Sequence, residues 1–554
     1  MQSLLSLTGK RWQMHDHAQG VGADLASLLA EKRGITSGGD CEAPLVFCDS
    51  ARASERLMRA VAKQEKIGIF GDYDCDGITG TALLMRMLRR RGIDPAVRLP
   101  HRAHDGYGLK TSHIDEFAAA GISLLLAVDT GITAGTAVER ANETGIDVMI
   151  FDHHALPEKL PDACAILHPS LAEIVPAFPP CAAGVVFDFL CAFENAAWQG
   201  MDEDRVLSMI GTVADVVSLR GRNRRLVQEG LRALEQLNIG PLAELASRIR
   251  TGSVPLTSQD IAFRIAPRIN AAGRMADPTL ALRAILEGGS ALEELETLNR
   301  SRQDETLIAM KDVFVKLDAL PALPPFLCAS AATYSPGIIG LIAGKLTERF
   351  GRPSMAVCIR GDECTASLRS PPAYSIIDGL RRCSEHLGSF GGHRQAAGCT
   401  FPTASLTVLI QALENDVATH VPDEALVPSL AIDCALPLHS VSLPLIQSLA
   451  ALEPFGHDNP EPLFLIESTT FSAARTVGAE GKHLQAMIGS CKAIGFGLGN
   501  FLAHVRAPLD IVCRLGIDVW NGRMQPQLMI VDMKVASLKP TSAGRMPAPA
   551  LKRS

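Results

Sequence analysis

Three short apolar runs, each ending in aspartate, limit what this chain can fold into. Ile67-Gly68-Ile69-Phe70 leads through Gly71 to Asp72, Asp74 and Asp76, acids spaced at every second residue. Leu124-Leu125-Leu126-Ala127-Val128 leads to Asp129, and Val148-Met149-Ile150-Phe151 leads to Asp152-His153-His154. Between them lie helix-forming stretches at 78–91, 112–120 and 134–144. Apolar runs alternating with helices imply a parallel sheet covered on both faces. Such sheets bind ligands beyond the carboxyl ends of their strands. An acid has no use inside a core strand, because burying unpaired charge is costly. One Asp/Gly turn is ordinary. Several acids brought to the same sheet edge would repel each other without a cation, so the pattern points to a divalent metal site.

His153 and His154 add imidazole to the carboxylates, a donor set that suits manganese, and zinc or iron less well; carboxylate and water alone suit magnesium. Only one of the two histidines need ligate, leaving the other to face a substrate phosphate. Further along, Asp215 is a lone acid in the apolar segment Gly211-Thr212-Val213-Ala214-Asp215-Val216-Val217, and is a further candidate ligand or a paired core acid. Arg268, Asn270 and Arg274 sit among small residues in 266–274. Arginine grips phosphate through two parallel hydrogen bonds.

The remainder divides by pattern. Residues 1–45 are expected to form an N-terminal strap of helices over the first domain, and 46–290 the domain carrying the acids. Residues 291–320 read as one connecting helix. Its apolar stripe (Leu292, Leu295, Leu298) gives way to the polar run 299–306 and resumes with Leu307, Ile308, Met310, Val313, Phe314 and Leu317. A helix wet in its middle fits a bridge between domains. A smaller α/β unit follows at 321–427. It places Ser367 beside Arg369 and carries a glycine-rich loop at Gly391, Gly392 and His393, able to offer backbone N–H groups to phosphate. Residues 428–537 read as mostly β, long enough for a small barrel of the OB type. The tail, 538–554, is expected to be disordered.

Composition narrows the function. The 554 residues carry a formal charge of −7, so no overall basic field advertises nucleic acid and any phosphate-binding surface must be local. The 14 cysteines are scattered without CxxC spacing, which reads as reduced buried thiols in a cytoplasmic protein. No apolar run reaches about 18 residues, so no membrane span is expected.

In order along the chain, these segments resemble the DHH phosphoesterases, and within them the RecJ family of single-strand-specific 5′→3′ DNA exonucleases. The resemblance rests on Gly71-Asp72-Tyr73-Asp74-Cys75-Asp76-Gly77, Gly106-Tyr107-Gly108-Leu109, Asp129-Thr130-Gly131, Asp152-His153-His154, 211–215, 266–274, Gly391-Gly392-His393 with Ala396-Ala397-Gly398, and 453–462. It implies a DHH domain, a DHHA1 domain and an OB-fold domain. It also implies a two-metal hydrolase (two divalent cations, Mn2+ or Mg2+) acting in DNA repair and recombination and releasing 5′-mononucleotides. Asp74, Asp76, Asp129, His153 and Asp215 match the family's metal ligands, with Asp72 and His154 beside them. Arg102, with Tyr107 close by, would hold a terminal 5′-phosphate, with Ser367 and Arg369 as partners from the second domain. Arg268, Asn270 and Arg274 would meet the scissile phosphate. Single-stranded DNA is the implied substrate; a single-strand-binding protein and a RecQ-type helicase are partners by resemblance only. Cys75 stands where alanine is usual and has no evident role. A nano-RNA or nucleotide phosphoesterase of the superfamily, and a non-catalytic single-strand-binding scaffold, are the alternative functions.

Overall fold

Alternation along the three runs decides their layers, because successive strand residues point to opposite faces. Ile67, Ile69, Leu124, Leu126, Val128, Met149 and Phe151 join one apolar cluster, and Phe70, Leu125, Ala127, Val148 and Ile150 join another. Both faces are therefore covered and the strands are almost wholly buried. Each fully buried Leu or Ile contributes about 1.5–3 kcal/mol. The result is a five-stranded sheet in the order Ala96–Arg98, Ile67–Gly71, Leu124–Val128, Asp147–Phe151, Ala165–Leu167, every pairing parallel.

The computed structural model describes residues 5–14, 24–35, 44–102, 105–106, 108–195, 201–250, 252, 254–520 and 523–536. Its contacts divide the chain into two units. One holds 30–426 with 452–460. The other holds 1–29, 427–451 and 461–554.

In the first unit, helices Thr111–Ala119 and Gly135–Glu143 supply the Phe70 cluster. Helices Cys75–Arg90, Ala182–Phe193 and Asp202–Ala214 supply the other. Helix Ser290–Asp318 then runs 29 residues. Ala291, Leu292 and Leu295 belong to the first core, whereas Ala309, Met310, Val313 and Leu317 belong to a second one built on Leu327–Ala331 and Ile339–Phe350. The wet middle expected from its sequence is only partly wet. Asn299 and Thr306 are 2% and 5% exposed, while Leu307 and Ile308 are 53% and 69% exposed. The helix meets the Ala266–Met275 helix through a polar stripe, which turns Leu307 and Ile308 outward. A second five-stranded sheet follows, ordered Ser389–Gly392, Ala396–Pro402, Glu363–Arg369, Ser354–Arg360, Leu327–Ala331 and antiparallel except at its last pairing.

The 452–460 segment is held in the same unit largely by its backbone carbonyls. Arg224 donates to the Leu452 carbonyl (2.9 Å), Gln228 to that of Glu453 (3.0 Å) and Ser258 to that of Phe455 (2.7 Å).

The second unit is mostly β, as its sequence implies. Its larger sheet has seven strands, in the order Cys434–Ala435, Phe464–Thr469, Leu509–Trp520, Arg523–Val535, Cys491–Gly495, His483–Ile488, Phe471–Val477. The expected N-terminal strap of helices is corrected in part. Arg11–Met14 is a strand, paired in parallel with Ser429–Ile432, because backbone donors at this β edge need partners. Trp12 Nε1 and Thr8 Oγ1 each donate to Asp532 (2.8 Å). The expected disordered tail lies outside the described residues. The described cysteines are all free, and most are buried. No helix of the described residues is long and apolar enough to cross a membrane.

Candidate metal centre and its arginine border

The acids arrive from strand ends and helix termini. Asp74 caps helix Cys75–Arg90, its Oδ1 accepting from the amides of Asp76 (2.9 Å) and Gly77 (3.1 Å). Asp76, in the first turn of that helix, turns its carboxylate to the start of a second helix. Oδ2 accepts from Ala182 N (2.7 Å) and Oδ1 from Ala183 N (2.9 Å). Two helix N-termini thus favour negative charge at this point. Asp129 follows its strand with φ 59°, and Asp215 caps helix Asp202–Ala214, followed by Val216 at φ 60°. A β-branched residue with positive φ is strained, and such strain collects at functional sites. Helix Asp202–Ala214 comes this close only because residue 211 is glycine. A Cβ there would lie 2.8 Å from Asp76 Oδ1 and 2.6 Å from Thr79 Oγ1.

The ligand atoms converge. Those of Asp76, His153 and Asp215 lie within 4.8 Å of one another, as do those of Asp72, Asp74 and Asp129, and those of Asp129, His153 and His154. His153 Nε2 is 3.3 Å from Asp129, 3.5 Å from Asp215 and 3.9 Å from Asp76. Two carboxylates about 4 Å apart repel by about 4 kcal/mol at an effective dielectric of 20. Burial, reinforced by the neighbouring acids, lifts Asp72 to about 8 and Asp215 to about 9, and raises Asp76 and Asp129 as well. Burial holds His153 below its usual value, so its imidazole is neutral and able to ligate. Asp72 Oδ1 is buried without a hydrogen-bond partner among the described residues. Oxygen and imidazole donors, crowded and unneutralised, fit divalent cations such as Mn2+ or Mg2+.

Asp152 has a role the sequence reasoning missed. Its Oδ1 accepts from the amides of His153 (2.8 Å) and His154 (3.1 Å) and meets His154 Nδ1 at 2.7 Å; Oδ2 accepts from Ile132 N (3.0 Å). Burial works against this carboxylate, yet these bonds hold it below its usual value. Burial likewise opposes protonation of His154, but Asp152 outweighs it and raises the imidazole. With Nδ1 given to Asp152, His154 is oriented with Nε2 as its remaining polar atom. A carboxylate following a strand and preceding a candidate His ligand was the sequence cue for this partner.

Beside the acids stands a group of arginines from separate elements. Arg102 lies over the ring of Tyr73, 4.5 Å from its centroid. Arg274, on helix Ala266–Met275, donates to the Gly337 carbonyl (3.3 Å). Arg369, on strand Glu363–Arg369, donates to Ser367 Oγ (3.1 Å). Burial lowers Arg274 to about 10, with Arg102, Arg302 and Arg369 adding to the effect and Asp74 opposing it. Burial and Arg102 also lower Arg369. These guanidiniums therefore share one space, and it borders the acids.

The other expected residues are placed differently. Arg268, expected at the scissile phosphate, pairs with Glu296 of the long helix (2.7 Å) and donates to the Arg264 carbonyl. It occupies the polar seam between helices. Asn270 accepts from Cys75 N (3.0 Å) and so secures the acidic loop. Cys75 itself points into the core, 1% exposed, which explains its small size without a chemical role. Gly391 and Gly392 lie in an exposed hairpin strand, and His393 N donates to the Ala396 carbonyl (2.8 Å), so that amide is satisfied within the turn. Tyr107 lies outside the described residues.

Comparisons with known proteins cover the same segments. Family models match at 66–217 (DHH family, N-terminal domain), 324–419 (DHHA1 domain) and 432–532 (RecJ OB domain). The chain is 31% identical to the single-stranded-DNA-specific exonuclease RecJ of Bacillus subtilis, over 92% of this chain and 68% of that protein. It is 31% identical to the protein of the same name from Thermus thermophilus, over 95% of this chain and 77% of that one. The crystal structure of the Thermus thermophilus RecJ in complex with Mn2+ superposes with a TM-score of 0.82 at 28% identity, covering 96% of this chain and 80% of that one. The Mg2+ complex superposes at 0.76 with the same identity, covering 96% and 79%.

Proposed function

Because this chain belongs to the RecJ family of single-stranded-DNA-specific exonucleases, we propose that it degrades single-stranded DNA from a 5′-phosphorylated end. It hydrolyses one phosphodiester at a time at the acidic cluster, releases 5′-mononucleotides, and acts in DNA repair and recombination in the cytoplasm.

The observation that carries this reading is the border between the two clusters. Tyr73 stands between Asp72 and Asp74 in sequence and carries Arg102 on its ring. Next to Arg274, a Cβ on Gly273 would lie 2.5 Å from the Tyr73 carbonyl, Gly337 packs on the Arg274 backbone, and a Cβ on Gly340 would lie 3.3 Å from the Arg369 guanidinium. A terminal phosphate held by Arg102, Arg369 and Ser367 therefore brings the adjacent linkage to the carboxylates, and fixing that geometry converts binding into rate. The same pocket sets polarity, since only a strand entering by its 5′ end presents both groups at once.

Asp72, Asp74, Asp76, Asp129, His153 and Asp215 would hold two divalent cations. When bound, these would acidify water and neutralise charge on the phosphodiester. The chain's own groups do the rest. Arg274 offsets negative charge developing at phosphorus. Asp152 fixes the His154 ring, Asn270 pins the acidic loop through Cys75 N, and Asp76 is locked by two helix amides. We assign the catalytic chemistry to 46–290 and the phosphate pocket jointly to that region and 321–427. Residues 428–537 would add stacking and backbone contacts along the strand. A single-strand-binding protein and a RecQ-type helicase are the protein partners this family membership implies.

The test is digestion, with Mn2+ or Mg2+ present, of 5′-phosphorylated single strand, 5′-hydroxyl single strand and blunt duplex. Rapid release of mononucleotides from the first, slow release from the second, none from the third and full inhibition by EDTA are expected. Equal attack on blunt duplex, or cleavage of dinucleotides alone, would overturn it.

A further inference from the structure

We propose that His168 is a positioning residue for the reaction: its imidazole clamps the backbone of His154, and so sets where the His154 ring stands towards the substrate phosphate. This rests on the function proposed above and adds to it a hold on His154 that Asp152 does not supply.

His168 follows strand Ala165–Leu167, the edge strand beside Asp147–Phe151. The parallel register sets Phe151 opposite Leu167, and Asp152 N donates to the Leu167 carbonyl (3.2 Å). The two chains therefore leave the sheet side by side, one through Asp152 and the other through His168. His168 is extended (φ −143°, ψ 138°) and 2% exposed. A ring so deeply buried needs both nitrogens answered, and both are. Nδ1 accepts from Ser170 N (3.1 Å), capping the short turn that begins at Pro169, and Nε2 meets the His154 carbonyl at 2.8 Å.

These partners leave one form of the ring. An amide can only donate and a carbonyl can only accept, so Nδ1 is bare and Nε2 carries the proton. His168 thus donates to His154 from a ring that Ser170 steadies at its other nitrogen. His154 is held at three points: Asp152 Oδ1 takes its amide (3.1 Å) and meets Nδ1 (2.7 Å), and His168 takes its carbonyl. Asp152 secures the entry to the residue and the ring, whereas His168 secures the exit. The next residues, Ala155 and Leu156, are exposed, so packing does not fix the chain beyond.

The two neighbouring histidines divide the work. His153 Nε2 lies 3.3 Å from Asp129 and 3.5 Å from Asp215, among the candidate ligands. His154 gives Nδ1 to Asp152, so its dealings with substrate run through Nε2. Displacing such a group by about 1 Å costs on the order of a hundredfold in rate.

The experiment compares wild type, His168→Phe, His168→Gln, His154→Ala and the double variant, all as full chains. Phe keeps the bulk of the ring and loses both bonds, with His168→Leu as the second apolar replacement if Phe is not accommodated. Gln loses the Ser170 cap but sets an amide donor near the place of Nε2. On the 5′-phosphorylated single strand with saturating Mn2+, His168→Phe is expected to lower kcat by about tenfold or more, with KM within about twofold. His168→Gln should recover most of that loss. In the His154→Ala background, His168→Phe should change kcat by less than about twofold, because the clamp has nothing left to orient. The Mn2+ affinity of the substrate-free variants, read by calorimetry, should stay within about threefold of wild type, a smaller change than loss of a group that supports a metal ligand brings. Additive losses in the cycle, no rescue by Gln, or Mn2+ affinity falling in step with kcat would overturn the proposal. If wild type itself fails on the strand, it is the exonuclease reading that falls.

Discussion

Asp188 and Arg222 are both fully buried, and they face each other. Asp72 and Asp129 are also buried and Asp215 is partly so, but they face other acids and the His153 imidazole. Burial lifts Asp188 only to about 6, because Arg222 opposes it, whereas burial together with Asp76 and Asp74 lifts Asp215 to about 9. The same division separates the arginines. Arg86 and Arg90 reach Asp204, and Arg86 also pairs with Glu203. Arg102 and Arg369 both press on Arg274, and Arg102 presses on Arg369. Where the chain needs stability it interleaves opposite charges. Where it needs a ligand it sorts them, acids to one side and guanidiniums to the other, and leaves each side incomplete. Charge sorting marks the functional region more clearly than burial does.

The strongest way to break this comparison is Asp129→Ala. If the sorted acids exist to hold cations, the rate with Mn2+ should fall by about a thousandfold or more, measured on 5′-phosphorylated single strand. A small loss would mean that the cluster is not the reacting centre. Asp188→Asn probes the interleaved side. It should cost about 3–5 kcal/mol in urea unfolding, because the buried Arg222 loses its carboxylate partner, while the rate per folded molecule holds.

Titration sharpens the contrast. Asp72 and Asp215, raised from 3.8 to about 8 and about 9, keep protons in the metal-free folded protein that the unfolded chain has released. The folded state therefore binds more protons, and stability falls as pH rises from about 4 towards 9. Metal-free protein should melt lower at pH 8.5 than at pH 6, and saturating Mn2+ should raise the melting temperature more at pH 8.5, where fewer protons compete. The smallest effect belongs to the aromatic seat of Arg102. Tyr73→Leu should reduce the preference for a 5′-phosphate over a 5′-hydroxyl by a few-fold, in line with a cation–π contact of about 1 kcal/mol. Tyr73→Phe, which keeps the ring, should retain it.

The two sides also differ in how far the sequence discloses them. The acids are legible because each follows an apolar run or interrupts an apolar helix, so local pattern places them at a common edge. The arginines are not, because direction on a helix is settled by what packs against it. Arg268 and Arg274 share one helix and looked equivalent. Glu296 claims the first, and the second borders the acids. Arg302 lay inside a polar run that reads as solvated surface, and only burial of Asn299 and Thr306 on the same helix reveals a packed face. Cys75 resisted explanation in the sequence because its neighbours are ligands, although its side chain belongs to the core. The N-terminal strand was invisible for a different reason: its pairing partner at 429–432 is remote in sequence, and periodicity carries no information about remote partners.

That remote pairing has a consequence for biosynthesis. Residues 30–426 are, in chain order, an insertion between the two strands Arg11–Met14 and Ser429–Ile432. The first strand leaves the ribosome early and has no partner until about 400 residues later, a delay of tens of seconds at typical translation rates. The inserted unit can complete most of its fold meanwhile, but the β unit cannot close until the residues after 427 emerge. Removing the strand Arg11–Met14 would therefore injure a unit whose other strands all lie after residue 427.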